Sequence, residues 1–148
     1  MRISIDPGVS GTGYAIWTDD GVLKEWGNIY PDAADQTFDT RARSITKKLR
    51  VIALRCKISD CYIELPALHS SEGGAVTARS GALVKLAFMV GMVYSMFQKS
   101  HLIPVADWKG SLPKEVVASR VRKQFPGKAI VNHSVDAVGI GLYVTGRF

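Results

Sequence analysis

The sequence predicts a mixed α/β fold, a five-stranded sheet whose first three strands run antiparallel and whose last two run parallel, flanked by helices. Three observations lead there. The first thirty residues contain three short β-patterned runs divided by turn signals. Beyond residue 39 the apolar period lengthens to that of a helix, and helical and strand patterns then alternate. Finally, 148 residues at 47% hydrophobic and 22% charged suit one domain spanning 1–148, long enough to bury a core.

Taken in order, Arg2 to Ile5 alternates polar and apolar and ends at Asp6, and Gly13 to Thr18 carries the strand formers Tyr14, Ile16 and Trp17. Between them lies the glycine-rich turn Pro7-Gly8-Val9-Ser10-Gly11-Thr12. Asp19-Asp20-Gly21 signals a hairpin that returns Val22 to Tyr30 as a third strand. Ile45, Leu49, Ile52 and Leu54 place a helix over Asp39 to Cys56, with Thr37 or Asp39 as its cap. Cys61-Tyr62-Ile63 is a short buried strand ending at Glu64. A Ser/Gly-rich loop, Ser70 to Gly74, precedes a long helix over residues 75–98, and Leu102 to Val105 is the last strand. Helical segments follow at Pro113 to Gln124 and Ser134 to Thr145.

Two cysteines, Cys56 and Cys61, are too few for a disulfide framework or a four-ligand zinc site even with three histidines, and both are expected as thiols. The N-terminus enters a strand pattern directly, without the layout of a signal peptide. The most apolar stretch, Ala82 to Phe97, is shorter than a membrane span and holds Lys85, so a soluble cytoplasmic protein without a membrane partner is expected. Net charge is +6, unevenly spread: residues 1–40 hold two basic and seven acidic side chains, and residues 41–148 hold 17 basic and six acidic. A basic bulk suits a polyanion, while the acidic segment keeps carboxylates for another task; a solvated basic surface is the plainer alternative.

Three carboxylates stand where carboxylates are awkward. Asp6 follows Ile3 and Ile5 at a strand end, Glu64 follows Tyr62 and Ile63 at another, and Asp136 opens an otherwise apolar final helix, three residues after His133. Parallel neighbouring strands deliver their C-terminal ends to one edge, so Asp6 and Glu64 can lie side by side. Close carboxylates repel unless a cation lies between them, and Mg²⁺ accepts such oxygen donors together with substrate phosphate. Each residue also has an ordinary reading: Asp6 as a turn initiator, Glu64 as an exposed loop residue, Asp136 as a helix cap, His133 as a cap or solvated side chain.

The element order is that of the RNase H-like superfamily, and the motifs narrow it. Ile5-Asp6-Pro7-Gly8 with Thr12-Gly13-Tyr14, then Tyr62-Ile63-Glu64, then His133-x-x-Asp136-Ala137 resemble, in order, the motifs of the RuvC Holliday junction resolvases. The resemblance implies a homodimeric nuclease that nicks two opposed strands of a four-way DNA junction. It implies Asp6, Glu64, His133 and Asp136 as catalytic ligands of two Mg²⁺ ions, with Mn²⁺ substituting. The compact chain looks like the phage-encoded branch. Lys109 and then Lys114 are the first choices for phosphate contacts, with Arg79, Lys85, Arg120, Arg122, Lys123 and Lys128 as further basic positions. The loop Leu65 to Gly74 carries Pro66 and lacks the family's stacking phenylalanine, so Leu68 or His69 is expected at the junction centre. The 75–98 helix is apolar on most faces, either because it is deeply buried or because it is the dimer seam that the resemblance implies, with Leu86, Val90 and Phe97 at its centre.

Three other readings compete. An actin-like or sugar-kinase ATPase also follows an aspartate with glycines, but needs two copies of such a domain, and 148 residues supply one. A related nuclease acting on RNA, or on branched DNA without junction selectivity, would use the same two-metal chemistry. A non-catalytic DNA-binding module would have little use for all three carboxylates.

Overall fold

A computed structural model describes residues 1–66 and 81–148. Strands β1 (Arg2–Asp6), β2 (Thr12–Trp17) and β3 (Leu23–Ile29) form the antiparallel meander, and β4 (Asp60–Leu65) and β5 (Ser100–Pro104) extend it in parallel. The sheet order is β3-β2-β1-β4-β5, the mixed sheet the sequence predicts.

Among the described residues five helices cover its two faces: α1 (Phe38–Arg55), α2 (Ala82–Tyr94), the single turn α3 (Val105–Trp108), α4 (Lys114–Gln124) and α5 (His133–Val144). Thr37 is the cap of α1, and it exchanges side-chain to backbone hydrogen bonds with Thr40. Because side chains alternate across a strand, β1 feeds both layers. Ile3 and Ile5 pack with Ile63, with Ile45 and Leu49 of α1 and with Met89 and Val93 of α2. On the opposite face Ala15 and Trp17 meet Val138 and Leu142 of α5 and Val117 and Val121 of α4. Ser4, buried on that second face, donates to the Ala137 carbonyl (2.6 Å) and accepts from Trp17 Nε1 (2.9 Å), tying α5 to the sheet. Asp6 lies two residues on, so it also faces α5.

The structure corrects two boundaries. The helix expected to reach Gln98 ends at Tyr94, because Ser95 closes it with N–H bonds to Gly91 and Val93 and the chain then turns into β5, two residues earlier than expected. Met96 and Phe97 continue the apolar pattern without being helical, since they pack on the core from the connection. Val105, expected to end the last strand, instead opens α3 behind Pro104. Residues 75–80 of the expected helix, with most of the Leu65 to Gly74 loop, lie outside the described residues. No helix among the described residues is long and apolar enough to cross a membrane.

Candidate active site

Strand register brings the first two carboxylates together. Parallel pairing of Ser4 with Tyr62 and Ile5 with Ile63 leaves Asp6 and Glu64 at adjacent strand ends, on the face that α5 covers. The third comes from α5, whose first turn lies against the start of β2. That approach requires a glycine: a Cβ on Gly13 would stand 2.0 Å from the His133 carbonyl oxygen. Asn28 of β3 completes the placement, since its Oδ1 accepts from Ser134 N–H (2.9 Å) and its Nδ2 donates to the Val131 carbonyl (3.1 Å). The start of α5 is thus satisfied from β3, and Asp136 is not used as its cap.

The four predicted residues converge. His133 Nδ1 lies 2.8 Å from Asp6 Oδ2. Glu64 Oε2 accepts from Trp108 Nε1 (3.0 Å) and Lys109 Nζ (3.3 Å), and the same ammonium is 3.6 Å from Asp136 Oδ2. The Asp6, Glu64 and Asp136 side chains are 12%, 13% and 14% exposed, and Lys109 is 19% exposed. Trp108 is itself fixed by packing against Gly139, where a Cβ would come within 2.6 Å of the ring, and edge-on to Phe148. A tryptophan locked against α5 therefore orients the carboxylate delivered by β4.

Burial raises the Glu64 carboxyl to about 7, reinforced by the charges of Asp6 and Asp136 and opposed by Lys109. Burial likewise raises Asp136 above the usual carboxylate range, with Lys109 again opposing. The hydrogen bond to Asp6 raises the His133 imidazole, partly offset by burial. Burial leads both carboxyl shifts, so they mark partly desolvated carboxylates held in one another's field. Its oxygen-rich donor set fits a hard divalent cation. As the side chains stand, no three His, Cys, Asp or Glu among the described residues are grouped closely enough to hold an ion; the Lys109 ammonium lies near both Glu64 and Asp136, and His133 engages Asp6.

Lys114 is exposed at the start of α4, near Lys109 and Asp136. Leu68, His69 and Arg79 lie outside the described residues. Trp108 and Asn28, which the sequence did not single out, are the additions. An asparagine in a strand is the one signal that pointed to Asn28, since strands are poor in asparagine.

Sheet order, helix placement and the clustered strand-end carboxylates define an RNase H-like fold. More narrowly, it is the fold of the RuvC-type junction resolvases. Thermus thermophilus RuvC in complex with a Holliday junction substrate superposes with a TM-score of 0.69 at 19% identity, over 95% of this chain and 90% of that one. Another Thermus thermophilus RuvC structure gives 0.57 at 19% identity, over 99% and 96% of the two chains. Fowlpox virus resolvase, solved with Holliday junction DNA, gives 0.54 at 13% identity, over the whole of both. No protein-family model and no curated protein matches the chain.

Proposed function

We propose that the protein is a metal-dependent endonuclease that nicks opposed strands of four-way DNA junctions. The observation that carries this reading is the meeting of three largely shielded carboxylates from β1, β4 and α5 in a fold shared with proteins solved on junction DNA. Asp6, Glu64, His133 and Asp136 would hold Mg²⁺, or Mn²⁺ in its place. When bound, two such ions activate an attacking water and stabilise the leaving oxygen of a phosphodiester. The chain's own groups prepare that chemistry: the Trp108 N–H orients Glu64, Asn28 fixes the start of α5, and the His133 ring holds Asp6.

Phosphates meet the exposed bases of α4 and its flanks, Lys114, Arg120, Arg122, Lys123 and Lys128, none of which has a carboxylate partner among the described residues. Two nicks need two sites, so the active form is a homodimer through the outer side of α2. Val84 and Phe88, four residues apart there, are 72% and 52% exposed, whereas Val90 faces the core at 5%. The seam is therefore assigned to Val84 and Phe88 rather than to Val90.

Incubation with synthetic four-way junctions, linear duplex and RNA, each with Mg²⁺, Mn²⁺ or chelator, tests the reading. Metal-dependent paired nicks on the junction alone are expected. Equal cutting of duplex or RNA would make this a nuclease without junction selectivity, and tight junction binding without cleavage in any metal would make it a binding module.

A further inference from the structure

Lys109 is held unlike the other lysines. Among the described residues only Lys48 also forms an ion pair, and it does so on the surface. Lys109 instead places its ammonium between two partly buried carboxylates, 3.3 Å from Glu64 and 3.6 Å from Asp136, and 4.6 Å from the centre of the Trp108 ring. Both distances to oxygen are long for a charge-assisted hydrogen bond. The main chain beneath is fixed, since the Lys109 and Gly110 N–H groups both bond the Val105 carbonyl. Only the flexible four-carbon stem is left to move. Beside it lies a cavity of about 120 Å³ lined by Lys109, Leu112, Lys114, Val117 and Asp136. The side chain thus has a second place to go, next to another lysine.

Building on the metal-dependent reading, we propose that Lys109 is a displaceable counter-ion. Its ammonium neutralises Glu64 and Asp136 while no divalent cation is bound, is expelled when one binds, and then joins Lys114 to hold a DNA phosphate beside the site. The electrostatics favour an exchange of this kind. Without an internal cation the clustered carboxylates repel one another, and with a divalent cation among them an ammonium at the same oxygens is itself repelled. Lys109 therefore lends its charge first to the empty site and then to the substrate, so the phosphate contact becomes conditional on the metal.

The test compares wild type with Lys109→Met and Lys109→Arg, all stripped of metal. Thermal melts in chelator are expected to show Lys109→Met below wild type, and calorimetric titration is expected to show it binding Mg²⁺ at least about fivefold more tightly, as when a competing ligand is removed. Lys109→Arg, which keeps the charge, should bind Mg²⁺ no more tightly than wild type. With Ca²⁺ in place of Mg²⁺, the salt dependence of junction binding should be steeper for wild type than for Lys109→Met by about one unit, and without divalent ions the two should match. If Lys109→Met misfolds, Lys109→Gln removes the same charge and keeps a polar head. Equal or weaker Mg²⁺ binding by the neutral variant would overturn the counter-ion role while leaving the metal site standing. If neither wild type nor variant binds Mg²⁺ or Mn²⁺, the metal reading fails and the counter-ion role fails with it.

Discussion

At the scale of single residues, the site shows why some roles can be read in a sequence and others cannot. Asp6 and Glu64 stand out because a carboxylate closing a buried apolar strand is costly unless something is gained from it. Trp108 and Asn28 give no such warning, since their partners are 44 and 106 residues away and only the fold brings them together. Trp108→Phe keeps the ring that packs on Gly139 but loses the N–H to Glu64. A hydrogen bond to a charged group is worth about 1.5–3 kcal/mol, so the melting temperature is expected to fall by several degrees and cleavage, which needs Glu64 held in place, by about tenfold to a hundredfold. Single-turnover rates on a four-way junction check this. The raised groups also fix a pH dependence. Glu64, Asp136 and His133 all titrate higher in the folded chain than in the unfolded one, so folding takes up protons. The stability they contribute is full below their unfolded values and is lost as pH rises through their folded values, about 7 for Glu64. Melts of chelated protein should therefore show a lower melting temperature at about pH 8 than at about pH 5.5, and Mg²⁺ should recover more of it at the higher pH.

At the scale of elements, local chemistry announced most of what formed. Thr37 caps α1 and Thr18 to Val22 closes the β2–β3 hairpin, as the turn and cap residues there imply. What failed were the boundaries that tertiary packing sets. Met96 and Phe97 look helical by composition, yet they reach the core from a connection that must turn to start β5. The approach of α5 to β2 was equally hidden, because a glycine in a strand does not say what comes close to it. Gly13→Ala puts a methyl group into the His133 carbonyl and so pushes the start of α5 away from the sheet. Overpacking of this kind costs about 1–3 kcal/mol, and cleavage should fall further than stability because His133 and Asp136 move together. Denaturant melts alongside cleavage rates separate the two effects. On α2, Phe88→Glu charges the exposed stripe at the cost of its edge-on contact with Phe38 and leaves the fully buried residues in place. Sedimentation should then give monomers with a native circular dichroism spectrum, whereas an unchanged dimer would move the seam elsewhere.

At the scale of the whole molecule, sheet order and the separation of charge were both legible. The acidic N-terminal segment supplies Asp6, and the basic remainder supplies the exposed bases of α4. Arg120 and Lys123 are exposed on α4 and with Arg147 line a groove. If they hold a duplex arm, replacing both by alanine should weaken junction binding and lower its salt slope by about two units, while the nick sites stay the same. On the proposed reading, Asp6, Glu64 and Asp136 form one metal-dependent centre that two copies apply to opposed strands. A supercoiled plasmid extruding a cruciform tests it directly, because two nicks within one binding event give a linear product and isolated nicks give an open circle. Wild type with Mg²⁺ should yield linear plasmid cut at the cruciform. Asp6→Asn, nearly unchanged in shape but lacking the charge, should yield neither product while still binding the junction. Linear product from Asp6→Asn at the wild-type rate would contradict the account.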